Sequence, residues 1–94
     1  MIQAFADKDT EKLFRGQRVR RFGPELCDRA LQKLLMLHAA NAVGDLAMPP
    51  GNRLESLTGD RKGQHSIRIN DQYRICFTWS AAGPTAVEIV DYHR

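Results

Sequence analysis

The apolar residues of this chain change their spacing partway along, and that change limits the fold more than any other feature. Up to about residue 43 they recur every three or four positions; beyond Gly51 they alternate with a period of two. A helical first half followed by a strand-forming second half predicts an α+β domain. Two helices would pack on one face of a small, mostly antiparallel sheet. A chain of 94 residues holds one such domain, residues 1–94, and leaves nothing for a second.

The elements can be placed from local chemistry. Met1 to Ala6 alternates weakly and reads as a short first strand. Asp7 or Asp9 can cap a short helix that runs through Phe14 and stops at Gly16. The strongest helix is expected from Pro24 to Val43, with Pro24 in its first turn and Gly44 as its stop. Cys27, Ala30, Leu31, Leu34, Leu35 and His38 fall on one face of it. Leu54 and Leu57 then flank a short strand, and residues 58–63 read as a loop. His65–Asn70, Tyr73–Ser80 and Thr85–Tyr92 are the remaining strand candidates, separated by turn residues.

Parity fixes one register. Ile67 and Ile69 alternate with Arg68, while Tyr73, Ile75, Phe77 and Trp79 alternate with Arg74, Cys76 and Thr78. Both apolar rows can face the helices only if paired residues match in face. Pairing Ile69 with Tyr73 achieves this and leaves Asn70–Gln72 as the hairpin loop. Arg68 then stands opposite Arg74 on the other face, and two such arginines repel unless an anion lies between them. The last strand offers two rows, Val87, Ile89 and Asp91 against Ala86, Glu88, Val90 and Tyr92, and pattern alone does not choose the inward one.

Charge and composition narrow the function. The net charge is +3 with a pI near 9.2, a mild excess that permits a nucleic-acid partner. Arginine clearly outnumbers lysine, and its planar fork matches phosphate. Cys27 and Cys76 are far apart and read as buried free thiols. Three scattered histidines do not make a zinc site, so no metal or cofactor is expected. No apolar run approaches the ~20 residues of a membrane span. With no signal-peptide pattern at the start, a cytosolic protein is expected.

Several residues carry candidate chemistry beside a plainer reading. Asp91-Tyr92-His93 joins a carboxylate, a phenol and an imidazole, which is either a set of proton carriers or a polar tail. Arg74 either clamps a phosphate or lies across the open sheet with its stem packed. Arg61 and Lys62 sit in a glycine-bounded loop that is a binding loop or a solvated turn. Arg15, Arg18, Arg20 and Arg21 crowd one segment, as a solvated stretch or as a contact to phosphates or an acidic partner. Glu55 is surface charge or a site carboxylate. His38 and Trp79 read as core.

Taken together, Pro50-Gly-Asn-Arg-Leu-Glu55, Leu57-Thr-Gly-Asp-Arg-Lys-Gly63, Ser66-Ile-Arg-Ile-Asn70, Gln72-Tyr-Arg-Ile75 and Glu88-Ile-Val-Asp-Tyr-His93 resemble the HigB toxins of the RelE superfamily. The resemblance covers essentially the whole chain. It implies a RelE-like, microbial-ribonuclease-type fold. It implies a toxin that enters the ribosomal A site and cuts mRNA during translation, without a metal. It also implies a HigA-type antitoxin, a helix-turn-helix protein that neutralises the toxin and carries it to operator DNA. No helix-turn-helix pattern appears in the first half of this chain, whose strongest helix shows an ordinary amphipathic face.

Residue by residue, the resemblance places Arg74 at the scissile phosphate and Asp91, Tyr92 and His93 in the catalytic tripeptide. Arg61, Lys62 and Arg68 fall along the RNA path. Some HigB proteins place a histidine just before the loop; Glu55 stands there in this chain. The implied reaction is attack by a ribose 2′-OH on the adjacent phosphorus. His93 or Asp91 would be the base, with Glu55 as alternative, and Tyr92 would stack or hydrogen-bond. The contrasting expectation is a degenerate module that binds RNA or antitoxin without cutting.

Overall fold

A computed structural model describes residues 1–92. The chain runs through helix α1 (Lys8–Phe14), helix α2 (Gly23–Ala39) and strands β1 (Glu55–Ser56), β2 (Gln64–Arg68), β3 (Tyr73–Ser80) and β4 (Gly83–Asp91), with short 3-10 turns between them. The four strands form one antiparallel sheet in the order β1-β2-β3-β4. Both helices pack on one face, so the α+β expectation holds. The residues up to 92 include no helix long and apolar enough to cross a membrane.

Helix α1 ends as expected, in a left-handed Gly16 (φ 83°). The Gly16 and Gln17 amides bond back to the Leu13 and Lys12 carbonyls, which satisfies carbonyls left open at the helix end. Its start differs from the sequence reading. Asp7 holds the N-cap position but its side chain makes no cap bond. Asp7 and Asp9 instead face Arg21, at 3.4 and 2.8 Å.

Helix α2 stops at Ala39, before the expected Val43. The Asp45 carboxylate accepts from the Asn41 and Ala42 amides and starts a separate turn there. The buried row is Leu26, Ala30, Leu34 and Leu37, rotated from the expected face, so Leu35 is exposed. These residues meet Ile67, Ile69, Ile75, Phe77, Val87 and Ile89 from the sheet. Each large side chain buried this way contributes about 1.5–3 kcal/mol.

The β2–β3 hairpin has the expected register, with Ile67 opposite Ile75 and Arg68 opposite Arg74. Asn70 closes its turn by accepting from the Gln72 and Tyr73 amides at 2.9 and 2.8 Å. Strand β4 is less regular. Trp79 pairs with Pro84 and Thr78 with Thr85, yet Cys76 pairs with Glu88. Ala86, at φ 51°, is the extra residue of a bulge. The bulge reverses parity, so Pro84 and then Val87 and Ile89 face the core, while Glu88, Val90 and Tyr92 take the open face. This settles the row that pattern could not choose.

The segment expected as a first strand lies alongside β4 without becoming one. Phe5 makes a single parallel bridge to Val87, and the Gln3 and Ala6 amides bond the Pro84 and Val87 carbonyls. Farther along, the Ile89 amide donates to Thr10 Oγ1 of α1 at 3.1 Å. The outer edge of β4 is thereby covered.

Candidate active site

The open face of the sheet carries a row of polar side chains that pairing places side by side. Glu55 stands opposite Ser66 and Ser66 opposite Cys76, with Arg74, Glu88 and Tyr92 around them. Arg74 is nine-tenths buried. Its Nε donates to Ser66 Oγ at 2.8 Å and its Nη2 to the Arg53 carbonyl at 2.6 Å. Arg53 is itself left-handed (φ 45°), a conformation uncommon for a side chain other than glycine or asparagine, and it offers that carbonyl to Arg74. Glu55 Oε1 lies 3.3 Å from Nη2 and is about half exposed. The guanidinium is thus oriented by neutral oxygens and faces one solvated carboxylate.

A cleft of about 340 Å³ opens beside this pair, lined by Glu55, Ser56, Leu57, Thr58, Asp60, Arg61 and Tyr92. Arg61 Nη1 donates to Glu88 Oε1 at 2.8 Å and to Gln64 Oε1 at 3.0 Å. The hydrogen bond to Glu88 holds the Arg61 guanidinium even more firmly protonated than usual. Tyr92 Oη lies 3.6 Å from Cys76 Sγ. Burial raises the Tyr92 phenol above its ordinary value, with the Cys76 contact adding to it. The phenol therefore stays protonated at neutral pH and serves as a donor rather than a base.

The catalytic tripeptide of the sequence reading divides. Tyr92 lies on the open face against Cys76. Asp91 pairs with Tyr73, on the side of the sheet that carries the helices, and accepts from Gln72 Nε2 at 3.2 Å. His93 lies outside the described residues. Arg68 stands beside Arg74 across the hairpin, and its guanidinium is held by Asp71. Lys62 is exposed at the end of its turn. In the basic segment, Arg15 pairs with Glu11 and Arg21 with Asp7 and Asp9. Arg18 and Arg20 are exposed and form no ion pair among the described residues. His38 accepts the Ile2 amide through Nδ1 at 3.1 Å, in keeping with a packed role.

Ser66, Glu88 and the Arg53 carbonyl are site groups that the sequence reading missed. Ser66 has the parity of Arg68, which was a usable signal. Glu88 could be placed only once the bulge was known. Cys76 is fully buried beneath this face, and burial pushes its thiol above the ordinary range. Cys27 is half-buried. A thiol reagent at neutral pH is expected to label Cys27 in the native protein and to reach Cys76 only on unfolding. Labelling a Cys27→Ser variant, with and without urea, checks this; rapid native labelling would contradict the burial.

An oriented, buried arginine with a neighbouring carboxylate, a phenol and a second arginine around one cleft has the chemistry that could receive an anionic group such as a phosphate. Comparison with known proteins gives the family. Residues 3–93 match the model of the HigB-like toxins, described as the RelE-like toxin of type II toxin-antitoxin system HigB. "Toxin HigB-1" of Vibrio cholerae serotype O1 is 45% identical over 80 residues, 84% of this chain and 84% of that protein. An uncharacterized protein of Haemophilus influenzae is 40% identical over 48 residues, 51% of this chain and 48% of its own. Among solved structures, a chain of the "YoeB-YefM complex from Staphylococcus aureus" superposes with a TM-score of 0.63 at 15% identity, covering 100% of this chain and 99% of that one. That likeness supports the fold. The chain belongs to the HigB-like toxins of the RelE superfamily, toxins of type II toxin–antitoxin systems.

Proposed function

We propose that this toxin is a ribosome-dependent mRNA endonuclease of the cytoplasm, which cuts translated mRNA in the ribosomal A site. The observation that carries the reading is Arg74, fixed by Ser66 and the Arg53 carbonyl with Glu55 3.3 Å away at the mouth of a cleft. A guanidinium held in place needs little reorganisation when charge develops on a phosphorane-like transition state.

The proposed reaction is transesterification without a metal. Glu55, half exposed beside Arg74, takes the proton of a ribose 2′-OH, and the 2′-oxygen forms a bond to the adjacent phosphorus. Arg74 stabilises the added negative charge. The bond to the 5′-oxygen breaks, and that oxygen is protonated as it leaves. His93 is proposed as the donor on the family resemblance, and Tyr92 as a neutral hydrogen-bonding or stacking group. Asp91, bonded to Gln72 on the other side of the strand, is proposed to position the end of β4 rather than to take the proton. The products are a 2′,3′-cyclic phosphate and a 5′-OH. Arg61, Lys62 and Arg68 are proposed along the RNA path.

A carboxylate is a modest base for a ribose hydroxyl. Holding the substrate in the reactive geometry can supply about 7–11 kcal/mol of a barrier, which fits an enzyme that relies on the ribosome for positioning. We further propose that a HigA-type antitoxin neutralises the toxin and links it to operator DNA. The exposed Arg18 and Arg20 are proposed to meet the ribosome or the antitoxin, with Arg15 and Arg21 bracing that segment through their own ion pairs.

The test is primer extension on an mRNA translated in vitro, with purified protein, with ribosomes present or omitted. Cuts appearing only with ribosomes, and ending in a cyclic or 3′-phosphate, are the expected result. A 3′-OH end overturns the chemistry. No cuts in either condition, from folded protein that binds its antitoxin, leaves the non-cutting module.

A further inference from the structure

Three of the arginines facing the open side of the sheet are each held by a carboxylate of this same chain. Arg74 meets Glu55, Arg68 meets Asp71 and Arg61 meets Glu88. The three carboxylates differ in how far water screens them. Asp71 is 98% exposed and Glu55 54%, so both yield readily to a competing anion. Glu88 is 28% exposed and Arg61 33%, at 2.8 Å. Glu88 sits on β4 opposite Cys76 and holds Arg61, which lines the cleft. It is therefore the strongest internal competitor for an RNA phosphate on this face.

We propose that Glu88 is a specificity-determining residue that makes the toxin discriminate against free RNA. It occupies Arg61 until a phosphate arrives already held in place. A freely diffusing RNA must displace Glu88 at its own bulk concentration. An RNA fixed in a larger assembly presents its phosphate at a far higher effective concentration, so the same displacement costs it little. This rests on the endonuclease reading given above, and it assigns a role to a residue which that reading leaves unused.

Glu88→Gln removes the charge while keeping the shape and an oxygen that can accept from Arg61. The experiment measures binding of a fluorescent single-stranded RNA oligonucleotide to the full chain over a range of salt, beside binding to programmed ribosomes. Glu25→Gln, the same charge change at an exposed position in the first turn of α2, is the control. Against that control, E88Q is expected to bind the free oligonucleotide about three- to tenfold more tightly at low salt. Its log–log salt slope should steepen by about 0.7, the increment for one more phosphate contact on a single strand. The ratio of ribosome to free-RNA affinity should narrow by a similar factor. Unchanged or weaker RNA binding by E88Q overturns the proposal and makes Glu88 a brace for Arg61. Ribosome-dependent cuts by the wild type decide the endonuclease reading separately, since the oligonucleotide assay needs no cleavage.

Discussion

Replacing Arg74 with alanine is expected to slow cleavage of ribosome-bound mRNA by about a hundred- to a thousandfold, the usual loss when one oriented oxyanion donor is removed. Arg74→Lys should recover little of it. A lysine carries the charge but cannot reach Ser66 Oγ and the Arg53 carbonyl with a rigid fork while facing a phosphate. Single-turnover cleavage on programmed ribosomes is the measurement. Antitoxin binding, which the reading assigns elsewhere, serves as the check on folding. A loss of less than about threefold in the alanine variant would remove Arg74 from the transition state.

The largest stability effect is expected on the other side of the sheet. Phe77 is fully buried and is the largest such side chain, stacked on His65 and edge-on to Trp79. Phe77→Ala should cost about 3–5 kcal/mol, from lost transfer energy and the cavity left behind. A domain of this size has about 5–15 kcal/mol in total, so a substantial part of the fold's stability depends on one ring. Urea denaturation, with the slope compared to wild type, tests this. A cost under about 1 kcal/mol would mean that the helices collapse into the space.

The two predictions sit on opposite faces of one strand, and the sequence shows why one face was easier to read. Ile67, Ile69, Tyr73, Ile75 and Phe77 alternate without a break, so the hairpin register and the Arg68–Arg74 pairing followed from parity. Asn70 supplied a turn residue of the right chemistry. Strand β4 obeys parity only in pieces, because Ala86 adds a residue that no single substitution pattern reveals. For the same reason pattern alone does not assign the row of Glu88 and Tyr92 to a face, while Asp91 falls on the opposite side from Tyr92, as alternation requires. The end of α2 was missed because its stop lies in the Asp45 side chain, three and four residues beyond the amides it accepts, rather than in Gly44. The candidate site was legible mainly through motifs. The oxygens that hold Arg74 belong to a buried serine and a main-chain carbonyl, which carry no charge signature.

The bulge at Ala86 also makes the site depend on counting. Straightening that bulge, so that Ala86 took a regular place in the ladder, would restore simple alternation through β4. With the start of the strand anchored by Trp79 and Pro84, every later side chain would exchange sides. Glu88 and Tyr92 would turn into the oily interior, and Val87 and Ile89 would face water. A change of pairing that alters no chemical group named in the site would thus dismantle both the candidate cleft and the hydrophobic interior. In this toxin the register of a strand shapes the candidate site as much as the identity of any residue upon it.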